Sequence, residues 1–174
     1  MTKRSGDSVP SGTMPGNRYA ATEVSARADL DALFEIEARV MATSPHVLDT
    51  GGPEGLLGFL SRGGTPITYI WTERRVGPVG YLALLDDASE AMEIRSIAVV
   101  PESQSSGIGA AMLRHARRIA VQRGKCRLVL ATSPHNHGAV RFYQRHGFVL
   151  ERTEADYYGD GTPRCILSTP LQGA

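Results

Sequence analysis

The 174-residue chain has little of several features that mark specialised classes of protein. Its two cysteines, Cys126 and Cys165, form neither a metal-ligand spacing nor a disulfide framework, which favours a reducing compartment. No apolar run approaches the roughly 20 residues of a membrane-spanning helix. The N-terminus also lacks the apolar segment of a signal peptide. These absences predict a cytoplasmic protein with no metal site and no membrane partner.

A charge excess of either sign is also missing. Lys and Arg number 19 against 18 Asp and Glu, so no overall field favours binding to nucleic acid. The cations are unevenly placed, however, because six of them lie between residues 114 and 127. This segment is either a solvated helix face or a rim that attracts a polyphosphate ligand.

The remaining composition is that of one globular domain. Hydrophobic residues make up 41% of the chain and charged residues 21%, which is enough apolar material for a core. Residues 1–17 are rich in Gly, Ser and Pro and predict a disordered tail. The predicted domain therefore spans residues 18–174.

Periodicity and turn signals predict the element order β-α-α-β-β-β-α-β-α-β-β. The first helix is expected to end near Met41 and the second to begin at Pro53, and the third and fourth are expected at 107–123 and 137–146. Strands are expected at 18–24, 67–72, 78–85, 91–99, 128–131, 148–157 and 164–171. The helix between strands 91–99 and 128–131 makes these two strands parallel. The fold class is α+β (α/β/α), with a mixed sheet of six to seven strands and four flanking helices.

The segment from Glu93 to Leu113 organises the chain, because it reads as a strand, a glycine-bearing loop and the start of a helix. Small residues over 104–110 let backbone amides approach a phosphate, and the helix adds its positive dipole end. A dinucleotide fingerprint would need Gly or Ala at Met112, and no Gly-Lys-Ser/Thr sequence of a P-loop is present. A plain loop-to-helix turn is the alternative to a phosphate site.

Two motifs carry a resemblance to a known family. Gln104-Ser-Ser-Gly-Ile-Gly-Ala110 fits the Q/R-x-x-G-x-G/A loop of the GCN5-related N-acetyltransferase (GNAT) superfamily, whose members acetylate amines with acetyl-CoA. The segment Asn136–Phe148 is similar to that family's N-x-x-A-x-x-x-Y-x-x-x-G-F motif. The element order also matches over residues 18–171, so the resemblance implies the GNAT fold.

The resemblance implies a site for acetyl-CoA. The loop residues Gln104, Ser105, Ser106, Gly107, Ile108, Gly109 and Ala110 would hold the pyrophosphate. The strand 91–99 would splay from 128–132 and admit the pantetheine arm, which Ile97, Ala98 and Val99 would contact. The Val99 N–H would stabilise the developing oxyanion. Asn136 would either bind the pantetheine or simply cap its helix.

The resemblance also implies catalytic residues. Tyr143 would be the general acid that protonates the leaving thiolate; its alternative is a tyrosine of the core. Glu93, directly or through water, would accept the proton of the amine; its alternative is a solvated charge. The histidines at positions 46, 135 and 137 are interpreted as surface residues. The first two helices and their connection supply further carboxylates for an acceptor pocket, with no spacing that singles one out: Glu35, Glu37, Asp49 and Glu54.

A third, shorter match concerns the acceptor. Asp156-Tyr-Tyr-Gly-Asp-Gly161 is similar to the tail of protein N-terminal acetyltransferases, including those that modify a ribosomal-protein alanine. Those enzymes carry a catalytic glutamate where this chain has Ala131. Tyr157 and Tyr158 are candidates to line the acceptor slot; strand alternation would send them to opposite faces, so at most one of them would face the acceptor. Packing of this pair against the first two helices is the alternative.

The predicted function is acetyl transfer to a primary amine by direct attack, with a protein N-terminus as the first candidate acceptor. A small amine, such as an amino acid, a polyamine or an aminoglycoside, is the second. A non-catalytic acyl-CoA sensor is the alternative from another class. An acidic pocket would favour polyamines or aminoglycosides, and closure by residues 157–161 would favour small molecules. The chain is expected to be a monomer or a homodimer.

Overall fold

A computed structural model describes residues 18–25, 27–43 and 51–171. The predicted tail and the residues His46 and Asp49 lie outside these ranges. The elements are β1 (Tyr19–Glu23), α1 (Arg27–Met41), α2 (Pro53–Ser61), β2 (Thr65–Glu73), β3 (Gly77–Asp86), β4 (Ala91–Val99), a 3₁₀ turn (Pro101–Ser103), α3 (Ile108–Gln122), β5 (Arg127–Thr132), α4 (His137–Arg145), β6 (Val149–Glu154) and β7 (Arg164–Pro170).

The predicted order of helices and strands is confirmed, and most boundaries agree within two residues. The main difference is at β6, which was expected to reach Tyr157 but ends at Glu154. Residues 155–158 form a turn instead. Asp156 stabilises this turn, because its Oδ1 accepts a hydrogen bond from the Gly161 N–H at 2.7 Å. The two tyrosines therefore lie in a turn and not on a strand.

The strands form one mixed sheet in the order β1-β2-β3-β4-β5-β7-β6. The pairing of β4 with β5 is parallel, and the other five pairings are antiparallel. The parallel pair follows from the crossover through α3, since a helix must carry the chain back to the starting edge. No helix among the described residues is both long and apolar enough to cross a membrane.

The sheet splays in its middle. Pairing between β4 and β5 covers only Ala91–Ile94 against Arg127–Leu130, although both strands continue beyond it. The register of β3 against β4 shifts at this point, so Arg95 is an extra residue between Ile94 and Ser96. Such a bulge bends the strand and increases its twist. Beyond the bulge β4 follows β3 while β5 follows β7, and a gap opens between them.

Helices cover both faces of the sheet. On one face Tyr81 of β3 reaches α1, where its hydroxyl donates to Glu37. On the other face the rings of Tyr69 and Trp71 contact His115 of α3. The core between these layers is apolar and fully buried at its centre, as at Leu82, Leu84, Met92, Met112, Leu128 and Ile166. The layers hold the splayed strands in place and so define the gap.

Gly80 lies where β3, β4 and α3 meet. A Cβ at this position would lie 2.5 Å from the Ala98 carbonyl oxygen and 2.8 Å from Met112 Cε. Both distances are far below van der Waals contact, so only glycine lets the two strands and the helix approach this closely. The sequence patterns did not single this residue out.

Candidate active site

A pocket of about 170 Å³ occupies the gap between β4 and β5. It contains four of the site residues predicted from the sequence, Ile97, Asn136, Tyr143 and Tyr158, together with Glu37 of α1, one of the carboxylates considered for an acceptor pocket. The rest of its lining comes from α2, β3, both splayed strands, the residue after β5, α4 and β7: Leu56, Phe59, Tyr81, Ile94, Arg95, Ser96, Ala131, Thr132, Ser133, Ala139 and Arg164. The bulge at Arg95 thus opens the cavity that the predicted chemistry requires.

The backbone of β4 faces this gap at alternate residues. The Val100 N–H donates to the Val79 carbonyl at 3.0 Å, so Val100 belongs to a hydrogen-bonded pair with β3. Because such pairs alternate along antiparallel strands, the amides and carbonyls of Ile97 and Val99 point away from β3 and towards the gap. Ala98 pairs with Tyr81, so its backbone groups face β3 instead.

Gln104 ties the glycine loop to this strand. Its Nε2 donates to the Val99 carbonyl oxygen at 3.0 Å. That contact satisfies the Val99 acceptor and leaves the Val99 N–H directed at the gap. The loop and the strand are therefore one connected structure.

The loop after Gln104 has two residues in the left-handed conformation. Ser105 and Gly107 take positive φ values of 60° and 86°, and Ile108 then begins α3. Left-handed residues next to a helix N-terminus turn successive N–H groups to one side, where the helix dipole also favours negative charge. Ser106 steadies the turn, since its Oγ donates to the Ser103 carbonyl at 2.5 Å.

The two glycines of the loop have different structural roles. Gly107 adopts the left-handed conformation, and a Cβ there would meet nothing within 4 Å. Gly109 lies in the first turn of α3, where a Cβ would lie 3.1 Å from the Phe142 ring of α4. Gly107 therefore sets the backbone of the loop, while Gly109 lets α4 pack against α3. The Ile108 side chain is buried in the core, so only its backbone is available to a ligand.

Tyr143 reaches the pocket from α4. Asn136 begins this helix, and its Oδ1 accepts from the Ala139 N–H at 3.0 Å, which confirms the predicted cap. The Tyr143 ring packs against Phe142 and Phe148 with centroids 5.2 Å and 5.6 Å away. Within the described ranges its hydroxyl makes no hydrogen bond, so it is available to a molecule in the pocket. Burial raises the pKa of Tyr143 to about 12.

Glu93 is not part of the pocket lining. It lies in the stretch of β4 that still pairs with β5, opposite Val129. Its carboxylate accepts a hydrogen bond from Arg95 Nη1 at 3.1 Å, and both side chains are largely buried. Burial raises the pKa of Glu93, and the charge of Arg95 opposes that shift. The structure thus places this carboxylate beside an arginine, below the pocket.

The two tyrosines of the C-terminal turn contact each other. Their ring centroids lie 4.8 Å apart in an edge-to-face arrangement, so the expectation that strand alternation separates them is wrong. Tyr158 lines the pocket and packs edge-to-face on Phe59 of α2, 5.3 Å away. Its ring also lies against the guanidinium groups of Arg95 and Arg164. Tyr157 lies outside the lining.

The sequence patterns did not predict a buried series of hydrogen-bonded side chains on the α1 side of the pocket. Glu37 Oε2 accepts from the Tyr81 hydroxyl at 2.6 Å, and that hydroxyl lies 2.9 Å from Ser96 Oγ. Glu37 is only 8% exposed. Burial raises the pKa of Glu37, while the hydrogen bond from Tyr81 lowers it. The sequence did indicate that Glu37 is buried, because it completes an i, i+3, i+4, i+7 stripe with Leu33, Ile36 and Val40 on one face of the helix.

The other candidate charges lie away from the pocket. Glu35 and Glu54 are exposed, as are His135 and His137. Several cations of the 114–127 segment have structural partners: Lys125 pairs with Asp86 at 2.6 Å, and Arg117 donates to the His146 carbonyl at 2.8 Å. That segment therefore includes tertiary contacts as well as solvated charge.

Comparison with known proteins agrees with this geometry. The model of the "Acetyltransferase (GNAT) family" matches residues 33–148, which is two thirds of the chain and includes both sequence motifs. The ribosomal-protein-S18-alanine N-acetyltransferase of Escherichia coli superposes with a TM-score of 0.68 at 23% identity, covering 88% of this chain and 96% of that one.

Two further solved structures share the fold. A spermidine N-acetyltransferase chimera from Vibrio cholerae and hSSAT has a TM-score of 0.70 at 15% identity, over 89% of this chain and 96% of its own. Nourseothricin acetyltransferase has a TM-score of 0.69 at 21% identity, over 89% and 99%. At these identities the superpositions show a common fold, and their different acceptors show that the fold alone does not choose a substrate. With the family model, the splayed sheet and both motifs in agreement, the chain belongs to the GNAT family of acetyltransferases.

Proposed function

We propose that this protein transfers the acetyl group of acetyl-CoA to a primary amine by direct attack. The observation that carries the proposal is the pocket between β4 and β5, which combines the Tyr143 side chain with backbone groups of β4. Acetyl-CoA is the co-substrate that the GNAT family uses. Its pyrophosphate would bind the loop 104–110, and its pantetheine arm would enter the gap.

The strand supplies electrostatic stabilisation. The Val99 N–H points towards the gap, since its register excludes it from the β3 ladder. A fixed backbone donor there stabilises negative charge that develops on the thioester oxygen as the amine attacks. The new C–N bond forms while the C–S bond breaks. Tyr143 then donates its hydroxyl proton to the departing thiolate.

The pocket favours a compact acceptor. Tyr158, from the 157–161 turn, packs on Phe59 of α2 and closes one side of the cavity. The described lining carries one carboxylate, Glu37, and two arginines, Arg95 and Arg164, each paired with a carboxylate outside the lining, so the pocket offers a single unpaired negative charge. This balance disfavours polyamines and aminoglycosides, which carry several positive charges. We therefore favour an acceptor with one amino group, such as an amino acid.

A protein N-terminus is the second candidate. It is supported by the likeness of residues 156–161 to the tail of N-terminal acetyltransferases, and by the shared fold of the Escherichia coli enzyme for a ribosomal-protein alanine. A peptide presents the same chemistry as an amino acid, a single primary amine next to one side chain. The two candidates differ in whether the pocket must admit more than one residue.

A thiol-release assay with acetyl-CoA and a set of amines tests the proposal. The set comprises amino acids, alanine-starting peptides, spermidine and an aminoglycoside. We expect turnover with amino acids and little with the polycations. Turnover with peptides alone would select the second candidate. Calorimetric binding of CoA without turnover on any amine would contradict the proposal and indicate a sensor.

Substitution of Gly107 by alanine tests the cofactor loop. Forcing a Cβ into the left-handed conformation costs about 1 kcal/mol of stability, because the side chain crowds the following carbonyl. Relaxation of the loop would also disperse its N–H groups, so we expect CoA to bind about tenfold more weakly, equivalent to about 1.4 kcal/mol. Gly124→Ala is the matched control, since Gly124 has a φ of 69° after the C-terminal end of α3. It should lose similar stability and keep its CoA affinity, and equal CoA affinity in both variants would contradict the assignment.

A further inference from the structure

We propose that Glu37 binds the acceptor's ammonium group and removes its proton before attack. The inference rests on the proposed acetyl transfer and names the base within it. A protonated amine has no lone pair to attack a thioester, so some group must accept its proton. The sequence favoured Glu93 for this task, and the tertiary structure favours Glu37.

The position of Glu37 carries the argument. Its carboxylate lines the same pocket as Tyr143 and Ile97, on the face of the sheet that α1 covers. Oε2 is held by the Tyr81 hydroxyl at 2.6 Å. Within the described residues Tyr81 is its one hydrogen-bond donor, so Oε1 is left for a group in the pocket. A fixed carboxylate with one free oxygen suits a primary ammonium, which has three N–H donors.

The neighbours of Glu37 make it a base rather than an ion-pair partner. The charged and titratable side chains that line the pocket with Glu37 are Tyr81 on β3, Arg95 on β4, Tyr143 on α4, Tyr158 in the C-terminal turn and Arg164 on β7. The two arginines have other carboxylates, since Arg95 pairs with Glu93 and Arg164 pairs with Asp160 at 2.9 Å. No cation is therefore paired with Glu37 in the described chain. Burial without such a pair raises the pKa of a carboxyl and makes it a stronger base.

Glu93 fits the role less well on the same grounds. Its carboxylate is paired with Arg95 at 3.1 Å and does not line the pocket. The neighbouring guanidinium stabilises the charged form of Glu93 and so opposes the rise in its pKa that burial causes. We interpret Glu93 as the group that positions Arg95.

The proton balance of the reaction is complete with these groups. The Glu37 carboxylate takes one proton from the ammonium, and the free amine attacks the acetyl carbon. The nitrogen loses a second proton as the amide forms, and this proton restores the Tyr143 hydroxyl after Tyr143 has protonated the thiolate. Glu37 returns its own proton to water through the pocket. The net products are the acetylated amine, CoA and one proton.

Glu37→Gln is the central test, with kcat/KM measured across pH on an amine that the wild type acetylates. Glutamine is isosteric and can still accept from Tyr81, but it cannot take a proton. We expect kcat/KM to fall about 100-fold at neutral pH, the lower end for a lost general base, because water in the pocket replaces part of its action. The deficit should shrink at alkaline pH, where the amine is already deprotonated. CoA affinity should stay unchanged.

Two further variants separate catalysis from structure. Glu35→Gln changes an exposed carboxylate two residues away on the same helix and should behave as wild type. Tyr81→Phe removes the hydrogen bond that lowers the pKa of Glu37, so the acidic limb of the pH profile should move to higher pH. This shift is read from relative rates and does not require Glu37→Gln to fold.

The outcomes are distinct. A loss in Glu37→Gln that is equal at every pH, or an unmoved acidic limb in Tyr81→Phe, would overturn the inference while acetyl transfer stood. The same holds if Glu93→Gln alone removes the acidic limb. If the wild type acetylates no amine, the proposed function and the inference both fail.

Discussion

Tyr143→Phe is expected to lower kcat about 1,000-fold, near the middle of the range for a lost general acid. The leaving thiolate must be protonated, and Tyr143 is the residue of α4 whose hydroxyl is free in the pocket. Phenylalanine keeps the ring contacts with Phe142 and Phe148 and removes only the proton donor. The defect should therefore appear in catalysis and not in folding.

The pKa of Tyr143 sharpens this expectation. Because burial raises it to about 12, the hydroxyl stays protonated through the usual assay range and remains a donor throughout. The wild type should consequently show no loss of kcat from Tyr143 ionisation below pH 11. A basic limb below that pH would have to come from another group.

Single-turnover and steady-state rates, with calorimetric CoA titration, measure the effect. Tyr19→Phe is the matched control, since Tyr19 lies on β1 at the far edge of the sheet. It should keep wild-type turnover. Undiminished turnover in Tyr143→Phe would remove this residue from the mechanism.

Gly80→Ala is expected to lower the free energy of unfolding by about 3 kcal/mol, the upper end for overpacking a core. The new Cβ would meet the Ala98 carbonyl oxygen at 2.5 Å. That atom belongs to the backbone of β4 and cannot rotate away, whereas Met112 Cε at 2.8 Å can. Relief therefore requires β3 and β4 to separate beside Val99, so the part of β4 that borders the pocket should be disturbed as well.

Urea unfolding gives the stability change, and a fall in Tm of about 6–12 °C should accompany it for a domain of this size. Gly58→Ala is the control, because Gly58 is exposed within α2 and a Cβ there meets nothing within 4 Å. That variant should gain about 0.5–1 kcal/mol from helix propensity. A loss below about 1 kcal/mol in Gly80→Ala would mean that the strands adapt more freely than the packing indicates.

Local patterns were enough to predict the elements and the motifs. Strand and helix periods, the Asn136 cap and the glycines at helix ends depend on neighbours within about four residues along the chain. The loop 104–110 is local in the same sense, since its shape follows from Ser105, Gly107 and the start of α3. Tyr143 could be predicted from the sequence because its motif covers a single helix, its cap and the few residues that follow it.

The two candidate general bases show what local sequence patterns cannot predict. Both Glu37 and Glu93 are carboxylates in predicted elements, and no pattern within either element shows which of them lines the pocket. Glu37 meets Tyr81 across 44 positions of sequence, and Glu93 meets Arg95 because a bulge inserts an extra residue between Ile94 and Ser96. Strand register and helix placement decide such meetings, and both are set by packing of the whole core.

The segment 93–113 has features of both kinds, some set by nearby residues and some set by tertiary packing. Sequence patterns are enough to predict that a strand, a glycine-bearing loop and a helix follow one another there, because each depends on nearby residues. Three other features became visible in the folded chain: β4 leaves β5 after Ile94, Gly80 allows β4 to lie close against β3, and Tyr158 closes the resulting pocket against α2. These are contacts between distant segments, whose geometry exists only once the layers have packed.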